Sequence, residues 1–254
     1  MKHYGVRGAA YFAILTAIRR TTGLGTFQCL ALDTSGASPN QPESLHTRYE
    51  CRTLSYSELA AFAVDPELEL DRQTLQVAES KRDTCIGVID RGNEACPRLL
   101  SYGWYSTFAT AMNDQFTVSV SRQYIYKYKS FTRAENRGQR LHVAATHVAA
   151  RQFRTLGYRA MVCYIEGHNL ASIRSFERSG FRKFGWVFHW KGTPLLFSPG
   201  CRRYRFTIYR SRVLRFSSKS YGLGEQKQIR AHSGWRHRLA LAQLCRWLMS
   251  RAAL

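Results

Sequence analysis

The stretch Gly157–Gly185, GYRAMVCYIEGHNLASIRSFERSGFRKFG, contains three secondary-structure signals in succession. Its segment AMVCYI (160–165) is apolar throughout, which is typical of a strand buried on both faces. NLASIRSFERSG (169–180) then reads as a short helix that ends at a glycine, and FRKFGWVFHW (181–190) alternates like a strand. The stretch therefore predicts a buried strand, a helix and a second strand in a mixed α/β domain.

The segment before this stretch predicts a crossover connection. LHVAATHVAARQFRTLG (141–157) has apolar residues at helical spacing and ends at a glycine, and it is the strongest helical pattern of the chain. It follows QFTVSVSRQYIYKYKSFT (115–132), which contains a strand. A helix between two strands of one sheet predicts a βαβ unit, which is right-handed in nearly all proteins.

The remaining patterns extend the sheet on both sides. Together with the segments above they give the order β-α-α-β-β-β-α-β-α-β-β and a central mixed sheet with one βαβ crossover. The additional segments are a strand at 48–54, helices at 55–62 and 66–81, a hairpin of strands at 84–90 and 98–108, and a strand at 202–210.

The two ends of the chain read as extensions of the domain at 46–210. Residues 1–45 hold a short apolar run followed by a linker at 33–45 that is rich in Ser, Gly and Pro. The run is too short to span a bilayer and no cleavage site follows it, so we expect a docking or interfacial helix. Residues 211–254 comprise a polar tether and a basic amphipathic helix, which could cover the core, lie on an anionic membrane or bind a partner.

The charge of the chain is divided unequally. Residues 1–120 hold 11 basic and 13 acidic residues, whereas residues 121–254 hold 27 basic and 4 acidic ones. The second half should therefore attract an anionic partner such as a phosphorylated cofactor, an acidic carrier protein, an anionic membrane or nucleic acid.

The cysteines and histidines favour a reduced protein without a metal site. The seven cysteines contain no CxxC pair, which fits the reducing cytoplasm. We therefore expect a cytoplasmic protein, which could also bind the membrane surface. His142 and His147 are five residues apart on the predicted helix and do not share a face, and His168 and His189 are isolated. We therefore expect no metal.

Two motifs resemble those of the GCN5-related N-acetyltransferase (GNAT) superfamily. RGQRLH (137–142) stands between a strand and a helix, where that family carries Q/R-x-x-G-x-G/A. Asn169 follows the next strand, and Gly180-Phe181 ends the short helix after it, as in that family. The resemblance covers residues 46–210, and it implies a GNAT-like acyl-CoA N-acyltransferase fold with N- and C-terminal helical extensions.

The resemblance implies an acyl-CoA donor, most simply acetyl-CoA, bound at the start of the helix at 141. The first amides of a helix have no partner within it, and the helix dipole favours an anion such as a pyrophosphate there. Arg140 and His142 stand where the family has small residues, so an acyl-carrier protein with a single phosphate is an alternative donor. The cofactor-binding residues implied are Phe131, Thr132, Arg137, Gly138, Gln139, Arg140, Leu141, His142, Asn169 and Phe176.

The implied chemistry is direct attack of an amine on a thioester, which needs a base, a polarising amide and a proton for the leaving thiolate. Family members often supply that proton from a tyrosine at the position of Phe176, which has none. The thiolate could leave unaided, or a hydroxyl such as that of Ser172 or Ser175 could serve, the alternative for both serines being an ordinary place on the helix surface. Tyr126 and Tyr128 are candidates for ordering a water chain or the acceptor, the alternative being that their face packs on a helix.

Some features carry weaker expectations. Lys127 and Lys129 should lie on the opposite face of the strand from these tyrosines. Trp104, Tyr105 and Trp186 are candidate pocket walls.

The main hypothesis is an N-acyltransferase acting on an unidentified amine. The alternatives are an enzyme that depends on an acyl-carrier protein, or a non-catalytic relative that binds nucleic acid or an anionic membrane.

Overall fold

The structure is a computed structural model that describes residues 5–35, 47–92, 97–113, 115–191 and 193–210. Its helices are α1 (Gly5–Thr22), α2 (Tyr56–Phe62), α3 (Arg72–Ser80), α4 (Leu141–Thr155), α5 (Leu170–Arg178) and α6 (Gly200–Arg203), with 3-10 turns at Pro66–Leu68 and Ala134–Asn136. Its strands are β1 (Leu24–Asp33), β2 (Tyr49–Leu54), β3 (Thr84–Asp90), β4 (Arg98–Ser106), β5 (Thr110–Ala111), β6 (Phe116–Ser119), β7 (Tyr124–Thr132), β8 (Ala160–Glu166), β9 (Arg182–Trp190), β10 (Thr193–Phe197) and β11 (Thr207–Arg210).

The central sheet has eight strands in the order β10-β9-β1-β8-β7-β4-β3-β2, and a small second sheet has the order β11-β6-β5. Strands β7 and β8 are parallel and are joined through α4, while the other neighbours of the central sheet are antiparallel. The predicted mixed α/β fold with one βαβ crossover is confirmed.

Strand β1 is the main departure from the sequence analysis, which assigned its residues to the N-terminal extension and linker. It lies in the middle of the sheet, where Leu30 pairs with Cys163 of β8 on one side and Lys183 of β9 on the other. Phe27, Cys29 and Leu30 are buried in the core. The amino-terminal segment therefore completes the sheet at its centre.

Other departures concern element boundaries. The predicted helix at 66–81 is split, because Glu69 adopts a left-handed backbone with φ 52° between the 3-10 turn and α3. The segment 115–132 holds two strands, β6 and β7. The segment 202–210 begins within α6, so that only β11 is extended, and β10 was not predicted.

Two of the hydrophobic clusters occupy opposite faces of the sheet around β7. Ile125 packs beneath α4, against helix residues such as Ala145 and Phe153, whereas Tyr124 and Tyr126 lie in the cluster on the other face. This alternation follows from the two-residue period of a strand. It decides which side chains of β7 reach α4.

The predicted tether and amphipathic helix at 211–254, and most of the predicted linker at 33–45, lie outside the described residues. Within the described ranges, no helix combines the length and the apolar character that crossing a membrane requires.

Candidate active site

The parallel pairing of β7 and β8 ends abruptly. It covers three residue pairs, from Tyr124 with Ala160 to Tyr126 with Val162. Beyond them, within the described part of the chain, β7 pairs only with β4 and β8 only with β1. We call the space between Lys127–Thr132 and Cys163–Glu166 the strand fork. Within the fork, β7 and β8 are not paired with each other. An extended ligand could therefore form hydrogen bonds along the two facing backbone edges, as an added strand does.

Helix α4 begins just after β7 ends at the fork. Its N-terminal flanking residue is Arg140, which has a left-handed backbone (φ 58°) and makes no side-chain cap. That conformation costs roughly 1–2 kcal/mol for a residue with a Cβ. Gly138 also has positive φ (88°), and an added Cβ there would meet nothing within 4 Å. The loop therefore presents backbone and the uncapped first turn of α4 to solvent.

The other cofactor candidates of this loop have defined contacts. Arg137 is exposed and its Nε donates to the Thr132 carbonyl oxygen at 3.4 Å. Gln139 is exposed and accepts a hydrogen bond from the Tyr49 hydroxyl at 3.2 Å. Leu141 is buried in the core beneath α4, so it anchors the helix start instead of facing a ligand.

A buried lysine lies at the point where the two strands part. Lys127 is 3% exposed and is directed toward α4, as the strand alternation predicts. Its Nζ lies 2.9 Å from His142 Nε2 and 2.9 Å from Thr146 Oγ1. The same Nζ lies 4.8 Å from the Phe176 ring centroid and 5.4 Å from that of Tyr105. We call these five residues the lysine cluster.

Burial sets the protonation of this cluster. It lowers the pKa of Lys127 to about 7, because a charged ammonium loses its hydration there. The pKa of His142 lies well below its ordinary value, through burial and then through the Lys127 charge. His142 is therefore neutral. Its Nδ1 is buried and has no hydrogen-bond partner among the described residues. Sequence reasoning placed His142 at the cofactor but missed its contact with Lys127.

The tyrosines predicted to be catalytic form a row on the opposite face of the sheet. Tyr126 is 2% exposed, and its ring lies 6.1 Å from that of Tyr128 and 6.4 Å from that of Tyr164. Burial raises the pKa of Tyr126 and Tyr128 above the ordinary value. The Tyr128 hydroxyl donates to Asp83 Oδ2 at 3.1 Å. Neither phenol can act as a base near neutral pH. The row packs on Tyr164 of β8, whereas the alternative weighed for it was packing on a helix.

A carboxylate at the end of β8 was not singled out by the sequence analysis. Glu166 lies 3.3 Å from the Arg19 guanidinium, 3.6 Å from His189 Nε2 and 3.7 Å from His168 Nδ1. His189 is buried and stacks on Phe27 with ring centroids 4.2 Å apart. The available signal was an acidic residue directly after a buried strand, but His189 and Arg19 are distant in sequence and only the sheet brings them together.

Helix α5 supplies three predicted residues with different roles. The Asn169 side chain accepts from the Ser172 backbone N–H at 3.1 Å, so it caps the helix. Ser172 is half-buried in the first turn. Phe176 is buried, and its ring lies 4.8 Å from the His142 ring. Of the three, Phe176 is the one that belongs to the lysine cluster.

The remaining candidates are distributed over the sheet. Phe131 stacks on Tyr102 at 5.4 Å, and Thr132 lies 2.8 Å from the Ser101 hydroxyl, both on the fork segment of β7. Of the suggested pocket walls, Tyr105 is buried in the lysine cluster, Trp104 is buried in the cluster under α2 and α3, and Trp186 is half-buried on β9. Among the described residues, no group of three or more His, Cys, Asp or Glu is placed to hold a metal ion.

Comparisons with known proteins give distant structural neighbours. No protein-family model matches the sequence, and no curated protein sequence matches it. A GCN5-related N-acetyltransferase from Sphaerobacter thermophilus is 12% identical over 70% of this chain, with a TM-score of 0.46. An acetyltransferase of the GNAT family from Colwellia psychrerythraea is 15% identical over 70% of this chain, with a TM-score of 0.42. The matches cover 55% and 59% of those chains, less than two thirds of either.

A third neighbour is AAC(6')-Iy, solved with the bisubstrate analogue CoA-S-monomethyl-acetylneamine. It is 12% identical over 54% of this chain and 92% of its own length, with a TM-score of 0.42. The names of the first two neighbours place them in the family that the sequence motifs resemble.

Proposed function

We propose that this chain is an N-acyltransferase that transfers an acyl group from an acyl-CoA, most simply acetyl-CoA, to an amine. The observation that carries the proposal is the strand fork beside the uncapped start of α4. The pantetheine arm is extended and contains two amides, so it can hydrogen-bond along the free edge of β7. Phosphates at the end of the same ligand would meet the first turn of α4.

The loop before α4 supports this placement of the phosphates. Arg137 and Arg140 are exposed, and Gly138 leaves open space beside the backbone. Guanidinium groups form charge-assisted hydrogen bonds with phosphate oxygens. Arg140 does not block the loop, because its side chain lies in solvent.

Lys127 and His142 of the lysine cluster would provide the proton for the leaving thiolate, which Phe176 cannot donate. In the proposed reaction the amine nitrogen attacks the thioester carbonyl carbon, the C–S bond breaks and its electron pair stays on sulfur. A proton moves from the Lys127 ammonium through His142 to that sulfur, and Lys127 is left neutral until solvent protonates it again. A donor with a pKa near the working pH suits this role.

Glu166 would serve the amine. It lies at the end of the fork segment of β8, with a side chain that is 30% exposed beside the buried His189. Its carboxylate can attract the ammonium form of the acceptor and take one proton from it, which frees the nitrogen lone pair for attack. The second proton, which the nitrogen loses when the amide forms, passes to solvent. Base and acid would then stand on opposite faces of the sheet, with the thioester between them.

The test is calorimetric binding of acetyl-CoA to the full chain and to two matched glycine variants. Gly138 and Gly157 stand beyond opposite ends of α4, have φ of 88° and 85°, and have nothing within 4 Å of an added Cβ. Asp substituted at either glycine introduces the same charge and similar backbone strain. We expect Gly138→Asp to weaken binding at least tenfold, by repulsion of the pyrophosphate, and Gly157→Asp to leave it unchanged. Absence of binding to the unmodified chain, or equal losses in both variants, would contradict the proposal.

A further inference from the structure

One groove among the described residues is not part of the proposed active site. It has a volume of about 880 Å³ and is bounded by the end of β1, the middle of α4, the end of α5, the start of β9 and α6. Its residue Asp33 pairs with Ala160, the first residue of β8, whereas the fork lies at the other end of that strand. We call it the basic groove.

The charge of the groove lining is strongly unbalanced. Among the described residues that line the groove, four separate elements supply the cations and Asp33 is the one acidic residue. Hydrogen bonds from Ser35 and the nearby charge of Arg203 keep the pKa of Asp33 low, so it remains a carboxylate. Five cations against one anion create a field that favours a ligand with several negative charges. The five are Arg151, Arg178, Arg182, Lys183 and Arg203.

Two aromatic residues lie among these cations. Phe184 and Tyr204 line the groove, are each half-buried, and have ring centroids 4.2 Å apart. The Arg203 guanidinium lies 5.8 Å from the Tyr204 ring centroid. Cations along a groove with aromatic rings beside them are the combination with which proteins bind single-stranded nucleic acid, through phosphates and stacked bases.

We infer that the basic groove binds single-stranded nucleic acid, with the phosphates against Arg178, Arg182 and Lys183 and a base against Phe184 or Tyr204. The concave shape disfavours a membrane, because a flat lipid surface does not enter a groove. A duplex keeps its bases stacked inside and cannot offer one to these rings. An acidic protein would use the cations and would make no use of the two rings. The inference does not depend on the acyltransferase proposal.

The test measures the fluorescence anisotropy of two labelled oligonucleotides, oligo-dT and oligo-U of about 12 nucleotides each, as the full chain is added. The variant Arg178→Glu/Arg182→Glu reverses two exposed groove charges, and Arg72→Glu/Arg82→Glu reverses two exposed charges outside the groove lining. Both change the net charge equally and leave residues 211–254 intact. We expect at least tenfold weaker binding for the first and less than threefold for the second, and a smaller salt dependence for the first alone. If the groove variant does not fold by circular dichroism, Lys183→Glu replaces it.

A second variant tests the stacking part. Phe184→Leu keeps apolar volume but removes the ring, and we expect about fivefold weaker binding at unchanged salt dependence. The inference is overturned if the oligonucleotides do not bind or if both charge reversals weaken binding alike. It is also overturned if poly-glutamate, anionic vesicles or a mononucleotide compete as well as an unlabelled oligonucleotide at equal charge.

Discussion

The strand fork and the basic groove lie at opposite ends of β8, and each contains basic side chains in a different state. At the fork, Lys127 is 3% exposed, and burial lowers its pKa to about 7. At the groove, Lys183 and three arginines (Arg178, Arg182 and Arg203) are exposed. The first arrangement suits proton transfer, and the second suits attraction of a polyanion.

The difference shows that the basic residues in the second half of the chain do not all have the same chemical role. A lysine that is removed from water can release its proton near neutral pH and loses value as a charge. An exposed lysine or arginine keeps its charge at every physiological pH. Composition counts Lys127 and Lys183 alike, and only burial separates their chemistry.

The largest expected effect concerns the pH dependence of stability. Lys127 has a folded pKa of about 7, far below that of a lysine in the unfolded chain. Between these values the unfolded state binds one more proton, so stability rises with pH by about 1.4 kcal/mol per pH unit. Below pH 7 both states are protonated and this dependence vanishes. Urea unfolding of the Lys127→Met variant from pH 7 to 10 should show that slope removed.

The matched control for this prediction is Lys183→Met, which removes an exposed lysine from the groove. Its stability should follow the unmodified chain at every pH, because this side chain is exposed and stays hydrated in the folded protein. Identical pH slopes in the unmodified chain and Lys127→Met would show that Lys127 is charged in the folded protein.

The second prediction tests whether the lysine cluster acts on sulfur. Coenzyme A with a free thiol stands in for the product, and its thiolate is detected by ultraviolet absorbance. We expect the bound thiol to ionise about one pH unit or more below free coenzyme A, since the neutral Lys127 amine can take the thiol proton and the resulting ammonium stabilises the thiolate. Lys127→Met should bind coenzyme A with similar affinity and lose this shift.

The half-buried Lys129, two residues along the same strand, gives the control. Its Nζ donates to the Glu69 carbonyl oxygen at 2.6 Å and takes no part in the cluster. Lys129→Met should retain the lowered thiol pKa. Coenzyme A that binds with an unshifted thiol in every variant would remove the proton donor from the mechanism while leaving the cofactor site intact.

The sequence was informative about the fold wherever local patterns and long-range pairing agree. The elements from β7 to β9 follow from apolar runs and glycine stops, and the structure has them in the predicted order. Strand β1 was not predicted, because the segment LGTFQCLALD contains no local signal for the strands with which it pairs. Its place between β8 and β9 depends on partners more than 120 residues away.

The site was predictable only in part, for the same reason. The loop at Arg137–Arg140 is visible in sequence because its motif is local. Lys127 was expected on the face opposite the tyrosines, but its burial depends on Phe176 and Tyr105, which come from other elements. Glu166 becomes a candidate site residue only because the sheet places it next to His189, which is distant in sequence. Protonation follows burial, and burial cannot be read from neighbouring residues in the chain.

The smallest expected effect sharpens the comparison from the side of the groove. Asp33 is its one acidic lining residue, and its carboxylate accepts hydrogen bonds from Ser35. Asp33→Asn keeps an oxygen acceptor and removes the charge, so oligonucleotide affinity should rise about twofold to threefold at low salt and the gain should shrink as salt increases. The same variant should leave acetyl-CoA binding unchanged, because Asp33 lies at the other end of the sheet from the fork. A parallel gain in acetyl-CoA affinity would mean that the two regions do not act as separate sites and that net charge alone attracts both ligands.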